Sequence, residues 1–297
     1  MEMIKIKSAI LEYNVCEKDV GKTVEIICKK EFQMSSKLLI KLKLSGKIYL
    51  NGKVTRSVDK VELNDIVTAD VYEEDKSENI VPKDIELNII YEDEFILVVN
   101  KPRNMSVHPS IGNFDNTLAN GVIHHYIKNG EMHKFHSVNR IDKDTSGICV
   151  IAKNQFAHGV LSTQMKEKKF KRKYMAIVKG TPEEKEGVID MPIAREGNSA
   201  IKRVVNENGK KAVTFYKVLK EKNGLSLLDI YLETGRTHQI RVHFSHIGNP
   251  LLNDWLYDDE VEDGQHLLHS YYAEFYHPKT KECLKFNIPL PDDMNIL

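Results

Sequence analysis

The chain has few of the features that mark secreted, membrane-spanning or metal-binding proteins. Its four cysteines are scattered without a C-x-x-C pair, at Cys16, Cys28, Cys149 and Cys283. This spacing predicts reduced thiols, and neither a zinc site nor a disulfide framework. No window approaches the roughly 18 consecutive apolar residues of a membrane helix, and the N-terminus lacks the apolar segment of a signal peptide. We therefore expect a cytoplasmic protein that does not enter a membrane.

The chain also has no excess of charge of either sign, since 43 lysines and arginines balance 43 aspartates and glutamates. The basic residues are nevertheless concentrated in two places. Residues 29–60 hold nine basic residues against two acidic ones, and residues 166–179 hold seven against one. Two such clusters are typical of a local binding surface for a polyanion. Each run also fits a solvated face, so charge alone leaves both readings open.

A short helix and a hairpin are predicted near the N-terminus. In residues 33–44, Ser35 or Ser36 can cap a helix whose leucines point inward and whose lysines point outward. The pair Asn51-Gly52 predicts a two-residue hairpin turn. The outward lysines of this unit are suited to contact a phosphate backbone. The three candidates are Lys37, Lys41 and Lys47.

We predict two domains joined by a linker. Residues 1–75 form a small basic helix–hairpin domain, residues 76–86 form a charged linker, and residues 87–297 form the larger domain. A succession of strands with inserted helices predicts an α+β fold with a mixed, largely antiparallel central sheet and flanking helices. Its predicted strands are 87–91, 95–100, 148–153, 173–179, 211–219 and 225–232, and its predicted helices are 118–128, 155–168 and one starting near Arg236.

Residues 139–147, N-R-I-D-K-D-T-S-G, carry two carboxylates in a tight turn before an apolar run. A carboxylate at the edge of a buried strand is held rigidly with little water, and a scaffold often carries catalytic residues on such loops. Asp142 is therefore a candidate reactive acid, although an aspartate at this place also caps turns. Asp144 fits the capping role better, because a Thr-Ser-Gly sequence follows it directly.

Two further segments combine basic residues with groups suited to nucleic acid. Tyr174 is either a core residue or an aromatic platform for a base, with Lys171 and Lys173 beside it as phosphate-binding cations. Arg236 and Arg241 lie in E-T-G-R-T-H-Q-I-R-V-H, where a glycine precedes a basic helix start. This arrangement predicts an anion site of free backbone N–H groups. The two arginines need not share a role, since one can face a phosphate and the other a carboxylate.

Two histidine pairs have H-x-x-H spacing, His243 with His246 and His266 with His269. A metal site would need a third or fourth ligand and groups that orient the ligands. No H-E-x-x-H pattern or cysteine partner accompanies either pair. We therefore predict polar structural roles for these histidines and no metal.

Taken together, these segments resemble the RluA/RluD-like family of pseudouridine synthases. The family pattern H-R-L-D-x-x-T-S-G recurs here with Asn139 in place of histidine and Ile141 in place of leucine. Asn139 has no titratable group, so we assign it no acid–base role. The basic N-terminal unit is similar to a small RNA-binding module that many members carry. The resemblance covers about residues 87–290. The segments that resemble family motifs are, in chain order, residues 91–109, 139–147, 173–176, 235–243 and 248–251.

The resemblance implies an isomerase that detaches uracil from ribose, rotates it and rejoins it through carbon. No electron or group is gained, so no cofactor and no metal is expected. Asp142 would be the catalytic carboxylate, as a nucleophile or as a base on a sugar proton. Arg241 would pair with it, since a neighbouring cation favours an ionised carboxylate, and Tyr174 would stack on the uracil.

The resemblance also implies how the RNA is held. The uridine must leave its helix, Arg140 would stabilise the vacated space, and Arg236 would contact a phosphate or orient its loop. The expected RNA is large-subunit ribosomal RNA, with transfer RNA as the alternative. We expect a monomer without an obligate protein partner.

Two other classes of function stay open at this stage. One is an RNA-binding protein with a degenerate synthase domain, which the survival of Asp142, Tyr174 and Arg241 argues against. The other is a hydrolase that uses Asp142 and Asp144 as acid and base. That reading is weak, because carboxylates that oppose each other across a sugar usually come from separate elements.

Overall fold

The structure, a computed structural model, describes residues 8–72, 79–197, 199 and 201–296. Residues 76–78 of the predicted linker lie outside this set. The rest of that segment, residues 79–86, contains neither helix nor strand. Within the described residues, no helix combines the length and the apolar character needed to cross a membrane.

The N-terminal part builds a small sheet that is covered by two helices. The strands pair antiparallel in the order β1-β4-β2-β3. Threonine and serine side chains cap both helices, because Thr23 Oγ1 accepts from Ile26 N and Ser35 Oγ from Leu38 N. The elements are β1 (Ile10–Asn14), α1 (Val24–Lys30), α2 (Ser36–Leu44), β2 (Ile48–Leu50), β3 (Lys53–Val54) and β4 (Ile66–Asp70), with a 3₁₀ turn at Glu17–Asp19.

The predicted helix and hairpin of this part are confirmed. In α2 the leucines predicted to point inward are buried, whereas Lys37 and Lys41 are exposed. Between β2 and β3, Asn51 and Gly52 both have positive φ, 49° and 75°. These are the angles of the primed turn whose twist matches paired strands.

The larger part is built on one long sheet, and the predicted α+β fold is confirmed. Its strands follow the order β10-β13-β14-β9-β15-β8-β6-β5, with β16 beside β15 and β7 beside β8. Among the described strand pairs, only β8 with β15 is parallel. The strands are β5 (Ile89–Glu92), β6 (Ile96–Lys101), β7 (His136–Ser137), β8 (Ser146–Ala152), β9 (Lys171–Lys179), β10 (Glu186–Asp190), β11 (Ile193–Arg195), β12 (Arg203–Val205), β13 (Val213–Lys222), β14 (Leu225–Leu232), β15 (Leu268–Tyr276) and β16 (Cys283–Asn287).

Helices α3 (Leu118–Lys128), α4 (Gln155–Lys166) and α5 (Gln239–His246) complete this part, together with a 3₁₀ turn at Asp292–Met294 and the separate ladder of β11 and β12. The central strand β8 is buried along its whole length. Successive side chains of β8 point to opposite faces of the sheet and pack into two different hydrophobic clusters. Val150 belongs to one cluster and Ile151 to the other. A strand that is covered on both faces has a continuous run of apolar residues, and this run predicts β8 from the sequence.

The helix predicted to start near Arg236 begins three residues later, at Gln239. His238 takes a left-handed backbone, with φ 57°, so the chain cannot be helical before it. The backbone N–H of Arg236 donates to Gln239 Oε1. This backbone donor of the predicted anion site therefore already has a partner.

Candidate active site

Asp142 lies in the turn between β7 and β8, and buried polar groups hold this turn from both sides. Asn139 Nδ2 donates to Ile148 O over 2.9 Å, and Val150 N donates to Asn139 Oδ1 over 2.7 Å. Asn139 thus extends the pairing of β8 with an amide side chain. A residue that is 2% exposed and bonded at both ends has a structural role.

The end of the turn requires a glycine. Gly147 has φ 111°, and a Cβ atom there would overlap the backbone of Ser270 on the parallel neighbour β15. Any larger residue would both strain the backbone and separate the two strands. The glycine of the motif therefore lets β8 and β15 approach each other where the turn ends and β8 begins.

Two buried histidines support the turn, His269 from β15 and His266 from the segment just before that strand. His266 Nε2 lies 2.9 Å from Thr145 Oγ1, and His269 Nδ1 lies 2.8 Å from Ser146 Oγ. Burial lowers the pKa of His266 well below its usual range and that of His269 to about 4. Both are neutral near pH 7, and among the described residues no cluster of three or more histidine, cysteine or acidic groups could hold a metal.

Protonation of His269 is expected to destabilise the fold. Its pKa is about 4 when folded, against 6.5 for the free side chain. The unfolded chain therefore binds the extra proton first, and stability falls as the pH drops from about 6.5 to 4. For one such group, the free energy of unfolding changes by up to about 1.4 kcal/mol per pH unit.

Urea unfolding of the full chain at pH 7 and pH 5 measures this loss, with His269→Gln as the matched variant. The variant should lose less stability between the two pH values than the unsubstituted chain. Equal losses would mean that His269 does not carry the dependence.

Asp142 faces an arginine that a second carboxylate holds in place. Arg241 Nη1 lies 3.4 Å from Asp142 Oδ2, whereas Arg241 Nε and Nη2 donate to both oxygens of Asp254, over 2.8 and 2.7 Å. The guanidinium also lies over the ring of Tyr257, 4.9 Å from its centre. Burial opposes the charge of Arg241, but the bonds to Asp254 and the carboxylate of Asp142 raise its pKa above the usual range.

The two carboxylates bound to Arg241 differ in access. The Asp254 side chain is 0% exposed and the Asp142 side chain is 26% exposed. Asp254 is therefore a fixed partner that neutralises and orients the arginine, and Asp142 is the carboxylate that a substrate can reach. Sequence reasoning missed Asp254, and its one available signal is its place just after the matched residues 248–251.

His238 brings a second polar group towards Asp142, with Nε2 3.9 Å from Asp142 Oδ2. Burial lowers its pKa, so the ring is neutral near pH 7. Tyr257 Oη accepts from Arg203 N and lies 2.8 Å from His238 Nδ1. The hydroxyl can donate to Nδ1, and in that tautomer the ring proton lies on Nε2, on the side of Asp142.

Tyr174 and Asp142 line one cavity of about 320 Å³. The tyrosine is 4% exposed, and burial raises the pKa of its hydroxyl. The structure brings five residues predicted from the sequence into this wall, namely Arg140, Asp142, Tyr174, Arg236 and Arg241. A cavity of this volume is in the range of small-molecule sites, about 300 to 1,000 Å³.

Arg140 and Arg236 are exposed where they line the cavity. Arg236 Nε donates to Lys211 O over 3.0 Å, which directs its side chain. Asp144, predicted to cap the turn, is half-buried, and its carboxylate makes no hydrogen bond to the described residues. Instead Thr145 N donates to the backbone carbonyl of Asp142.

The five lysines predicted to bind substrate do not line the cavity within the described residues. On β9, Lys171 pairs with Glu274 at 2.7 Å and Lys173 lies 3.6 Å from Asp229. Lys37 and Lys41 lie exposed on α2, and Lys47 Nζ donates to Tyr72 O. Strand alternation explains the first pair, because the neighbours of Lys171 and Lys173 on the cavity face are Arg172 and Tyr174.

A reachable carboxylate, a fixed arginine and a buried aromatic ring meet in one small cavity. A family model described as RNA pseudouridylate synthase matches residues 95–246. The chain is 40% identical over 269 residues to an uncharacterized RNA pseudouridine synthase of Bacillus subtilis, YjbO, covering 90% of this chain and 95% of that protein. It is 38% identical over 267 residues to the ribosomal large subunit pseudouridine synthase D of Vibrio cholerae, covering 84% and 82%.

A solved structure agrees with the sequence relatives. Human RNA pseudouridylate synthase domain containing 1 superposes with a TM-score of 0.57 at 27% identity, over 69% of this chain and 84% of that one. The chain belongs to the RluA/RluD-like family of RNA pseudouridine synthases. It is an isomerase that acts on RNA, and the family assignment made from the sequence motifs is confirmed.

Proposed function

We propose that this enzyme isomerises specific uridines of large-subunit ribosomal RNA, with Asp142 as the catalytic carboxylate and the target base flipped into the cavity. The observation that carries the proposal is the geometry around Asp142. Its carboxylate is partly exposed in the cavity and lies beside Arg241, which Asp254 holds in place. The named relatives that act on the large ribosomal subunit support this choice of RNA.

The reaction needs a carboxylate near the ribose and a fixed place for the free base. The bond from N1 of uracil to C1′ breaks, a bond from C5 to C1′ forms, C5 loses a proton and N1 gains one. Asp142 assists either as a nucleophile or by removing a sugar proton. Arg241 lies beside its carboxylate, and because Asp254 already balances the arginine, Asp142 is the carboxylate of this group that a substrate can reach.

The size of the site supports the proposal of base flipping. A cavity of about 320 Å³ suits a nucleoside better than a duplex. In this proposal the uridine leaves its helix, as enzymes that act on a base require. Tyr174 offers a ring against which the uracil stacks, and the exposed Arg140, next to Ile141 and Asp142 in the turn, fills or stabilises the space that the base leaves.

Pseudouridine mapping tests the function and its target together. RNA from cells with and without this gene is compared, and pseudouridine should disappear from one or more large-subunit ribosomal RNA positions. Loss confined to transfer RNA would replace the ribosomal target with the alternative. A synthetic RNA that carries the mapped uridine then serves as substrate for the purified enzyme.

The N-terminal residues 1–75 are proposed as a separate RNA-binding domain, followed by the linker 76–86 and the catalytic domain 87–297. Lys37 and Lys41 stand one helical turn apart on the exposed face of α2. Side chains in this relation can reach neighbouring phosphates of one strand. Lys47 Nζ donates to Tyr72 O and lies 3.6 Å from Asp70.

Replacing Lys37 and Lys41 together by glutamine should weaken RNA binding and reduce its dependence on salt. Each lost phosphate contact lowers the slope of log affinity against log salt by roughly 0.7 to 0.9, so the pair should lower it by about 1.5. Binding to the synthetic RNA is measured between low and moderate salt. Lys217→Gln, which removes a surface charge paired with Glu186, is the control, and an unchanged slope in the double variant would reject the contact.

A further inference from the structure

One buried cation of the cavity wall has no partner. Arg172 is 8% exposed, and its Nε is buried without a hydrogen bond. Within the described residues no carboxylate lies within ion-pair distance of its guanidinium. A buried charge without a partner is costly, so a group that supplies one is expected to enter the cavity.

The chain makes room for this guanidinium at Gly235. A Cβ atom on Gly235 would lie 3.2 Å from Arg172 Nη1 and 3.3 Å from Nη2. These distances are tight contacts, and the backbone of Gly235 has no positive φ that would itself require glycine. The glycine therefore provides space, and the arginine lies against the segment that follows β14.

Arg172 differs from the other arginines that line the cavity. Arg241 is bonded to Asp254, and Arg140 and Arg236 are exposed to water. On β9 the neighbours Lys171 and Lys173 face away and meet carboxylates. Arg172 is thus the cation that the described wall keeps both buried and unpaired.

We propose that Arg172 binds a backbone phosphate next to the target uridine, an assignment that rests on the proposed function. Uracil and ribose are neutral, so phosphate is the one anionic group that the RNA brings. A guanidinium matches it with two parallel hydrogen bonds. Arg172 and Tyr174 share one face of β9, about 7 Å apart along the strand, a separation suited to the base and phosphate of one nucleotide.

The test uses a synthetic RNA with the mapped uridine and a neutral methylphosphonate on its 5′ or its 3′ side. Arg172→Met should lower kcat/KM on the natural RNA by about tenfold to a hundredfold, the worth of a charged hydrogen bond. One of the two methylphosphonates should lower the wild-type value by a similar factor and change the Arg172→Met value little. The side that responds identifies the phosphate.

Three outcomes would overturn the assignment. The first is that the decreases in kcat/KM caused by Arg172→Met and by the methylphosphonate add, and the second is that neither methylphosphonate lowers the wild-type kcat/KM. The third is a lower Tm for Arg172→Met together with the same decrease in kcat/KM on every RNA. The free variant should keep its Tm or gain, because it loses an unpaired buried charge. Gly235→Ala, which presses on the guanidinium, should give a smaller loss with the same insensitivity to methylphosphonate. Lys217→Gln should match wild type on every RNA.

The two levels of proposal fail differently. Wild-type enzyme without activity on the ribosomal RNA substrate would reject the target named above, and the Arg172 contact with it. Full wild-type activity, together with Arg172→Met values that fall equally on natural and methylphosphonate RNA, would reject only the contact.

Discussion

Asp142→Asn is expected to abolish pseudouridine formation, with a loss of about 10⁴-fold or more in single-turnover rate. Asparagine keeps the size of the side chain and loses the charge that either mechanism needs. Arg241 stays bonded to Asp254 in this variant, so the wall of the cavity should be preserved. RNA affinity should therefore change far less than the rate, and pseudouridine is counted in the synthetic RNA after one turnover.

Asp144→Asn is the matched control, because it makes the same chemical change two residues away in the same turn. Asp144 is half-buried, and burial raises the pKa of its carboxyl. We expect this variant to keep most of its activity. Measurable turnover by Asp142→Asn, or equal losses in both variants, would contradict the assignment of Asp142.

Breaking the bond between Arg241 and Asp254 should cost both stability and turnover. Arg241→Met leaves a carboxylate that is 0% exposed without its cation, and removal of one partner of such a pair costs about 3 to 5 kcal/mol. Turnover should fall by about a hundredfold or more, since the group that orients Asp142 is lost. RNA affinity should fall much less, because Arg241 is buried and serves carboxylates.

The double variant Arg241→Met/Asp254→Leu separates the two effects. Replacing both partners by apolar side chains removes the unpaired charge, so much of the lost stability should return. Turnover should stay low, because no cation faces Asp142. Urea unfolding and single-turnover rates are compared across three proteins, namely the wild type, Arg241→Met and the double variant. Equal losses of turnover and RNA affinity in Arg241→Met would instead indicate a phosphate contact for Arg241.

Local pattern was sufficient where one segment decides the structure. The helix α2, the turn at Asn51 and Gly52, and the buried strand β8 each follow from spacing within about ten residues. Local pattern is insufficient where packing overrides it. Helix α1, V-E-I-I-C-K-K, is rich in residues that favour strands, and the Thr23 cap and a buried face make it helical.

The site divides in the same way. Asp142, Tyr174 and Arg241 were predictable because each lies in a contiguous motif, yet Asp142 and Arg241 are 99 positions apart. Their contact, and the bond of Arg241 to Asp254, depend on how the turn before β8 meets α5 and the segment that follows it. Nothing in the local pattern marks Asp254 as the buried partner, because exposure depends on neighbours distant in sequence.

The family, the mixed sheet and the turn that carries Asp142 could be predicted, because they follow from residues that are neighbours along the chain. Which cations reach the cavity depends on packing between distant segments. Strand alternation directs Lys171 and Lys173 to their carboxylates and Arg172 inward, beside the space that Gly235 leaves. Burial then separates Asp142 from Asp254, since a charge can be reached only where the packing around it is open.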